Sequence, residues 1–346
     1  MKQKIVIIGG YGHVGQMIAR ELGEAYPGQV YAAGRSMERA ERFSRDTGGK
    51  VKPMQLDVRH SFDSQLWDEV QVVVMCLDQA DTAFVRFCLA KGIHYVDISA
   101  SDDFLQQVEQ LNRDAYTGKA TVVLSVGLAP GLTNLLARRA YLLLERTDSI
   151  EISIMLGLGD QHGKAAIQWT VDQLAGGFTD GRRTDFGKGL GRRTAYRFPF
   201  ADQYVLRRKL GLPSVATRLC LDSAAVTTLL AWLSASGATR LLKRKAVRNS
   251  VVGWLLRKKP GEARCAVKID ARGMWNGGPA TAECSLQGGE EARITARVAA
   301  YAADALFGTS WPSGVYHMDE LFDLDRVLTG IGATDAADIR LNGRPL

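Results

Sequence analysis

The chain has 346 residues, 46% of them hydrophobic and 23% charged. That is enough apolar material for about two folded domains, and it excludes wholesale disorder. The net charge of +7 suits an acidic ligand such as a dinucleotide, and equally nucleic acid or an anionic membrane surface, so charge alone does not choose among them.

The chain opens with the apolar run Ile5-Val6-Ile7-Ile8, which ends at Gly9-Gly10. Four apolar residues are too few for the core of a signal peptide, and a strand buried on both faces is expected instead. A helix is expected over 13–23, with Val14, Met17, Ile18, Ala19 and Leu22 on its apolar side. Strands follow at 30–33, 51–56, 70–77, 94–98 and 121–126. They alternate with helices at 37–47, 82–91 and 102–116, the last capped by Ser101 or Asp102. This alternation predicts a Rossmann doubly wound parallel sheet over 1–130.

After about residue 148 the pattern changes. A strand is expected at 150–155 and a helix at 163–174. The glycine- and arginine-rich stretch 176–193 is expected to be a long loop, and 219–258 a set of apolar and basic helices. Strands at 263–272 and 281–286 flank Trp275-Asn276-Gly277-Gly278, an Asn-Gly hairpin signal. A last amphipathic helix covers 293–307. These elements predict a second α+β domain with an antiparallel sheet over 131–318, for substrate binding and dimerisation. Residues 319–346 are expected to form a tail packing back on the first domain.

The five cysteines, Cys76, Cys88, Cys220, Cys265 and Cys284, form no CxxC pair. An odd count without that spacing fits a reducing, cytoplasmic setting. The five histidines (His13, His60, His94, His162, His317) show no ligand spacing, and no metal site is expected. No run of 18 uncharged apolar residues occurs, so no membrane-spanning helix is expected.

Chemistry concentrates at the first strand–helix junction. Gly10-Tyr11-Gly12-His13-Val14-Gly15 is a GxGxxG placed after a strand and opening a helix, the context in which this motif binds a dinucleotide. Gly10 is expected to make the turn, Gly12 to admit the pyrophosphate and Gly15 to let helix and strand pack closely. Gly9, Gly12 and Gly15 also fit a GxxGxxG spacing. At the end of the second strand, Ala33-Gly34-Arg35-Ser36 carries no acidic residue for a ribose hydroxyl. Arg35 and Ser36 suit a 2′-phosphate instead, with Arg39 one helical turn on, which predicts NADP(H). Asp57 and Val58 are expected near the adenine, and Cys76 and Leu77 on the nicotinamide side. Cys76 is read as a small buried hydrophobe rather than a reactive thiol.

Gly92-Ile93-His94-Tyr95-Val96-Asp97-Ile98-Ser99 resembles a segment of the saccharopine dehydrogenase-like NADP-binding family. Gly127-Leu128-Ala129-Pro130-Gly131-Leu132-Thr133-Asn134 is similar to another of its segments. Ala33-Gly34-Arg35-Ser36, Thr295-Ala296 and Gly314-Val315 are also similar. The resemblance covers residues 1 to about 140 and is patchy beyond 150. It implies an NADP(H)-dependent oxidoreductase that makes or oxidises a C–N bond at an imine carbon of an amino-acid-derived substrate. Some members resembling the family act on apolar or carrier-bound substrates, and a non-catalytic NADPH-binding regulator is a third reading.

Tyr95 and Asp97 are the expected catalytic residues, with Ser99 and Trp169 touching substrate. Asp97 would hold an ammonium or iminium, or else fix a loop. Trp169 would wall the pocket, or else pack in the core. Arg182, Arg183, Arg192 and Arg193 would clamp carboxylates, or else form a solvated basic loop. Tyr316-His317 offers a proton donor without geometric support. A homodimer is expected through the second-domain sheet, as the resemblance implies. No nucleic-acid module is recognised. A membrane surface is the lesser expectation for 219–258, behind a buried helix pair with a basic edge.

Overall fold

The computed structural model describes residues 2–59, 65–160, 164–187, 189–257 and 261–346. His60, His162, the Gly163 start of one expected helix, and Lys258 and Lys259 of the basic stretch lie outside them. The chain divides into two compact units, Met1–Leu132 with Arg293–Ile331, and Thr133–Ala292 with Gly332–Leu346.

The first unit alternates strand and helix. Its elements are β1 (Lys4–Ile8), α1 (His13–Ala25), β2 (Val30–Gly34), α2 (Met37–Asp46), β3 (Val51–Gln55), β4 (Val70–Met75), α3 (Ala83–Ala90), β5 (His94–Asp97), α4 (Asp102–Glu109), α5 (Asn112–Thr117) and β6 (Thr121–Leu124). A seventh strand, Gly314–His317, pairs with β6, and the sheet order is Gly314–His317, β6, β5, β4, β1, β2, β3. All its pairings are parallel. Val72, Val73, Val74 and Met75 are fully buried, as are Ile5, Val6 and Ile7. Continuous apolar runs of this kind are what a sheet covered on both faces requires.

Two expectations change here. The single helix 102–116 is two helices, and Asn112, which opens the second, accepts the Val315 amide at 2.8 Å. The helix Glu291–Leu306, expected over 293–307, was placed in the second domain, whose expected span 131–318 also took in Gly314–His317, where no strand was expected. Residues 293–331 cluster instead with the first. The Tyr26 hydroxyl, just past α1, donates to Asp304 of that helix at 2.6 Å.

The second unit holds α6 (Thr133–Leu142), β7 (Arg146–Leu156), α7 (Lys164–Leu174), β8 (Arg182–Asp185), β9 (Arg192–Arg197), α8 (Ala201–Leu210), β10 (Ser214–Leu221), α9 (Ala224–Ala235), α10 (Lys245–Arg257), β11 (Cys265–Trp275) and β12 (Gly278–Gly288). Its eight-stranded sheet runs Arg344–Pro345, Ala337–Leu341, β12, β11, β7, β10, β9, β8. Only β7 and β10 pair in parallel; the others are antiparallel. The expected Asn-Gly turn joins β11 to β12, with Asn276 at φ 50° and Gly277 at φ 74°. Two successive positive φ angles match the turn to the sheet's twist.

Three further expectations are corrected. The arginine-rich stretch is no structureless loop, since β8 and β9 form a hairpin within and beyond it. The tail does not wholly return to the first unit: Ala337–Leu341 pairs with β12. The 219–258 segment begins as strand, and its helices are not a buried pair. Thr227 is the buried residue of α9, while Leu229 is 53% and Trp232 65% exposed. Helices α6 and α8 pack on the sheet within the unit.

Candidate active site

Strand β1 lies between β4 and β2, the point where the chain order of the sheet reverses. Ligands of such sheets bind outside the carboxyl ends of the strands at that point. Here the backbone is shaped by glycine. Gly9 has φ 79° and is the residue that makes the turn, a part expected of Gly10. A Cβ on Gly10 would stand 2.7 Å from the Ala32 Cα, so Gly10 instead permits β2 to approach. A Cβ on Gly15 would stand 2.2 Å from the Gly9 carbonyl oxygen, so close packing of α1 requires Gly15, as expected. Gly12 is more open, its nearest neighbour being the Gly9 oxygen at 3.0 Å. What a Cβ there would fill is the space in front of α1.

Gly12 caps α1 without a side-chain hydrogen bond, and no acidic residue lies in the first turn. The amides of His13 and Val14 therefore open the helix at its positive end, a ready site for a diphosphate. At the end of β2, the Ser36 amide donates to the Tyr11 hydroxyl at 2.9 Å. The Arg39 guanidinium lies 4.9 Å from the centre of the Tyr11 ring. A Cβ on Gly34 would collide with that phenol at 2.3 Å. Tyr11 thus lies across the end of β2 and fixes the Arg35–Ser36 turn. Ser36 also caps α2, its Oγ accepting the Arg39 amide. Arg35 is exposed, and among the described residues neither Arg35 nor Arg39 has a carboxylate partner. Two unneutralised guanidinium groups and a hydroxyl fit a phosphate on the ribose. Asp57, at the end of β3, pairs with Arg59, its Oδ2 lying 2.9 Å from a guanidinium nitrogen. Val58 is half-buried beside it.

On the other side of β1, Leu77 lies against Gly9, which a Cβ would bring within 2.9 Å of the Leu77 side chain. Burial and the nearby Asp97 charge push the Cys76 thiol far above its ordinary value. A thiol so shifted stays neutral, and Cys76 is half-buried rather than buried.

The chemistry-bearing cluster lies at the ends of β4 and β5. Asp97 is fully buried. Its Oδ2 accepts from the Tyr95 hydroxyl at 2.7 Å and from Gln79 Nε2 at 3.3 Å, and its Oδ1 accepts the Ser99 amide at 2.6 Å. Gln79 Nε2 also donates to the Tyr95 hydroxyl at 2.6 Å. Burial pushes the Asp97 carboxyl up to about 6, against the opposing effect of the Tyr95 and Ser99 hydrogen bonds. Burial and the same carboxylate drive the Tyr95 phenol well above its usual value, so it stays a proton donor to Asp97. Among the described residues no lysine or arginine pairs with Asp97. Gln79 Oε1 is buried without a hydrogen bond.

The sequence pointed to Tyr95, Asp97 and Ser99, and the structure brings them together. Gln79 was missed; its only signal was a position just past the carboxyl end of β4. His317 is fully buried. Its Nδ1 meets Ser125 Oγ at 2.8 Å and its Nε2 meets Glu109 Oε1 at 3.0 Å, which links the edge strand to the end of β6 and to α4. Trp169 belongs to the second unit, its ring 5.7 Å from Phe198 and 5.3 Å from Phe200. That is aromatic packing.

These features define a Rossmann dinucleotide-binding domain. Residues 5–123 match the family model described as the saccharopine dehydrogenase NADP binding domain. The N-terminal unit is a saccharopine dehydrogenase-like NADP-binding domain, and NADP(H) is the cofactor it accommodates. Among solved structures, apo saccharopine dehydrogenase (L-Glu forming) from Saccharomyces cerevisiae aligns with a TM-score of 0.66 at 12% identity, covering 99% of this chain and 100% of that one. An engineered D-amino acid dehydrogenase bound to NADP+ aligns at 0.49 and 14% identity, covering 95% and 96%. No curated protein sequence matches the chain.

Proposed function

We propose that the protein is an NADP(H)-dependent oxidoreductase acting at the imine or amine carbon of an amino-acid-derived substrate. The observation that carries this is Asp97: a buried carboxylate beside the cofactor cradle, hydrogen-bonded by neutral donors and lacking a cationic partner among the described residues. A buried charge of that kind is costly unless paired. An ammonium or iminium supplies the missing partner. Above pH 6 Asp97 is ionised and draws such a cation to the end of β5. Tyr95 and Gln79 hold its Oδ2, Ser99 holds its Oδ1, and Gln79 Oε1 is left to accept an N–H from the ligand. NADPH, when bound, supplies the hydride. The residues of this chain contribute position and charge.

The test is NADPH consumption with pairs of an amine and a 2-oxo acid. Turnover should require both partners and fall as pH drops through 6. NADPH binding without turnover on any pair would replace this reading with that of a regulator. Turnover on a substrate lacking nitrogen would replace it with the reading below.

The second reading, an apolar or carrier-bound substrate presented at an anionic surface, is favoured by the exposure of Leu229, Trp232 and Leu241 beside Arg240, Lys243, Arg244 and Lys245. Homodimerisation stays part of the proposal, although α6 and α8 already pack on the sheet that was expected to bury a face against a partner. Light scattering at micromolar concentration decides it, a monomer ruling it out.

A further inference from the structure

The second unit holds a cleft of about 370 Å³ whose lining includes Arg183, Arg192, Arg193, Thr194, Cys220 and Thr228. Among the described residues no acidic side chain lines it. The first turn of α9 completes it with Ala224, and that turn carries no acidic residue either.

The arginines around the β8–β9 hairpin fall into two sets. Arg182 and Arg218 pair with Glu151, Arg197 and Arg218 with Asp180, and Arg192 with Asp185. Arg183 and Arg193 have no carboxylate partner among the described residues. The Arg193 Nε is buried and makes no hydrogen bond, and its Nη1 donates to the Arg192 carbonyl at 3.5 Å. Neighbouring arginines on the same hairpin are neutralised, so a shortage of acids in the region does not explain the two that are not. A buried guanidinium N–H without an acceptor is costly, and two unpaired like charges at one cleft add to that cost. The positive end of α9 points the same way. Each of these costs falls when an oxyanion enters, and a guanidinium presents a planar fork matched to one.

We propose that this cleft binds a small oxyanion, a carboxylate or a phosphate, through Arg183 and Arg193. Its volume lies near the lower end of small-molecule sites, ~300–1,000 Å³, which suits a short dicarboxylate or a phosphomonoester rather than a dinucleotide. The inference rests on the lining of this cleft and on Arg183 and Arg193, not on the proposed reaction.

The experiment is calorimetric titration of the full chain, without NADPH and at constant ionic strength, with glutarate and with inorganic phosphate. Saturable binding of glutarate alone assigns a carboxylate site, and saturable binding of phosphate assigns a phosphate site. Arg183→Gln/Arg193→Gln should weaken that binding at least about tenfold. Arg183→Gln alone, at an exposed position, should weaken it less and keep the circular dichroism of the wild type. Arg207→Gln, an exposed cation on α8 away from the cleft lining, should leave it unchanged. NADPH affinity of the double variant should equal that of the wild type, which separates this site from the cofactor cradle. Equal binding by wild type and double variant, or saturable binding of neither probe, overturns the proposal.

Discussion

The two units offer an anion different groups. In the first these are backbone: the amides opening α1, exposed because Gly12 carries no side chain and Gly15 lets the helix close on the strand. In the second, the cationic cleft is built from arginine side chains on an antiparallel hairpin. A backbone site is sterically exacting, so it leaves a fixed glycine spacing in the sequence. A side-chain site can be assembled from arginines on many strands, and no spacing marks it. The family match lies within the first unit, over residues 5–123.

The sharpest way to break this contrast is at Gly15. Gly15→Val places a side chain where even a Cβ would stand 2.2 Å from the Gly9 oxygen, which is backbone and cannot give way cheaply. Overpacking of this kind costs about 1–3 kcal/mol or more, and NADPH binding should disappear with it. Gly12→Ala separates the two effects. Its Cβ would meet the Gly9 oxygen at 3.0 Å, so thermal stability should change little while NADPH affinity falls. Should Gly12→Ala bind NADPH as wild type does, the helix amides are not the phosphate site.

A smaller effect is expected where the first unit does use side chains. Arg35→Ala removes one charge-assisted contact and should cost about 1.5–3 kcal/mol of NADPH affinity, leaving NADH affinity unchanged. Tyr11→Phe frees the Ser36 amide, removing a 2.9 Å hydrogen bond, and should weaken NADPH binding less. Paired titrations with NADPH and NADH measure both. Equal losses for the two nucleotides would place Arg35 away from the 2′-phosphate.

Much of the first unit was legible because its strands are apolar runs separated by helix-period segments, and its site residues follow strand ends. The seventh strand was not. Gly314–His317 is four residues long, and its pairing with β6 spans nearly 200 positions of chain. In the second unit the Asn276-Gly277 turn was legible because two positive φ angles demand those residues. The β8–β9 hairpin was hidden because its strands are Arg182–Asp185 and Arg192–Arg197, polar sequences that bury Thr184 and Ala195 without any apolar alternation to mark them. Gln79 was hidden for another reason: nothing local marks a glutamine whose partners, Tyr95 and Asp97, lie on the neighbouring strand.

Asp97 sharpens the comparison through pH. Its carboxyl is raised to about 6 by burial, above its value in the unfolded chain. The sign follows: the folded state holds the proton more tightly, so stability is greatest below the unfolded value and falls as pH rises toward and through 6. A shift of this size corresponds to about 3 kcal/mol at most. Asp97→Asn should therefore raise stability at neutral pH, by on the order of 1 kcal/mol once weaker hydrogen bonds to Tyr95 and Ser99 are subtracted. It should also flatten the stability profile between pH 4 and 7 and abolish turnover. Denaturant melts across that range read the outcome, and a variant less stable than the wild type at pH 7 would mean that Asp97 is a loop-fixing carboxylate alone.

The smallest effect on folding is expected at Trp232. It is 65% exposed on α9, with Leu229 at 53% and Leu241 at 49%. Within the second unit these side chains bury little, so Trp232→Ser should change stability by less than about 0.5 kcal/mol. Its effect on association should be larger than its effect on folding. Arg240, Lys243, Arg244 and Lys245 flank the apolar residues, and cations beside an exposed indole are the composition of an interfacial, membrane-facing helix. On the second reading, a substrate presented at an anionic surface, the wild type should sediment with anionic vesicles at low salt and be released as salt rises. Trp232→Ser should sediment several-fold less at equal stability, and Lys243→Glu/Arg244→Glu/Lys245→Glu should stay in the supernatant. Wild-type protein left in the supernatant at low salt removes the surface-presented substrate from consideration. Sedimentation lost in the charge variant but unchanged in Trp232→Ser would mean that the basic flank acts alone, as an unspecific cationic patch.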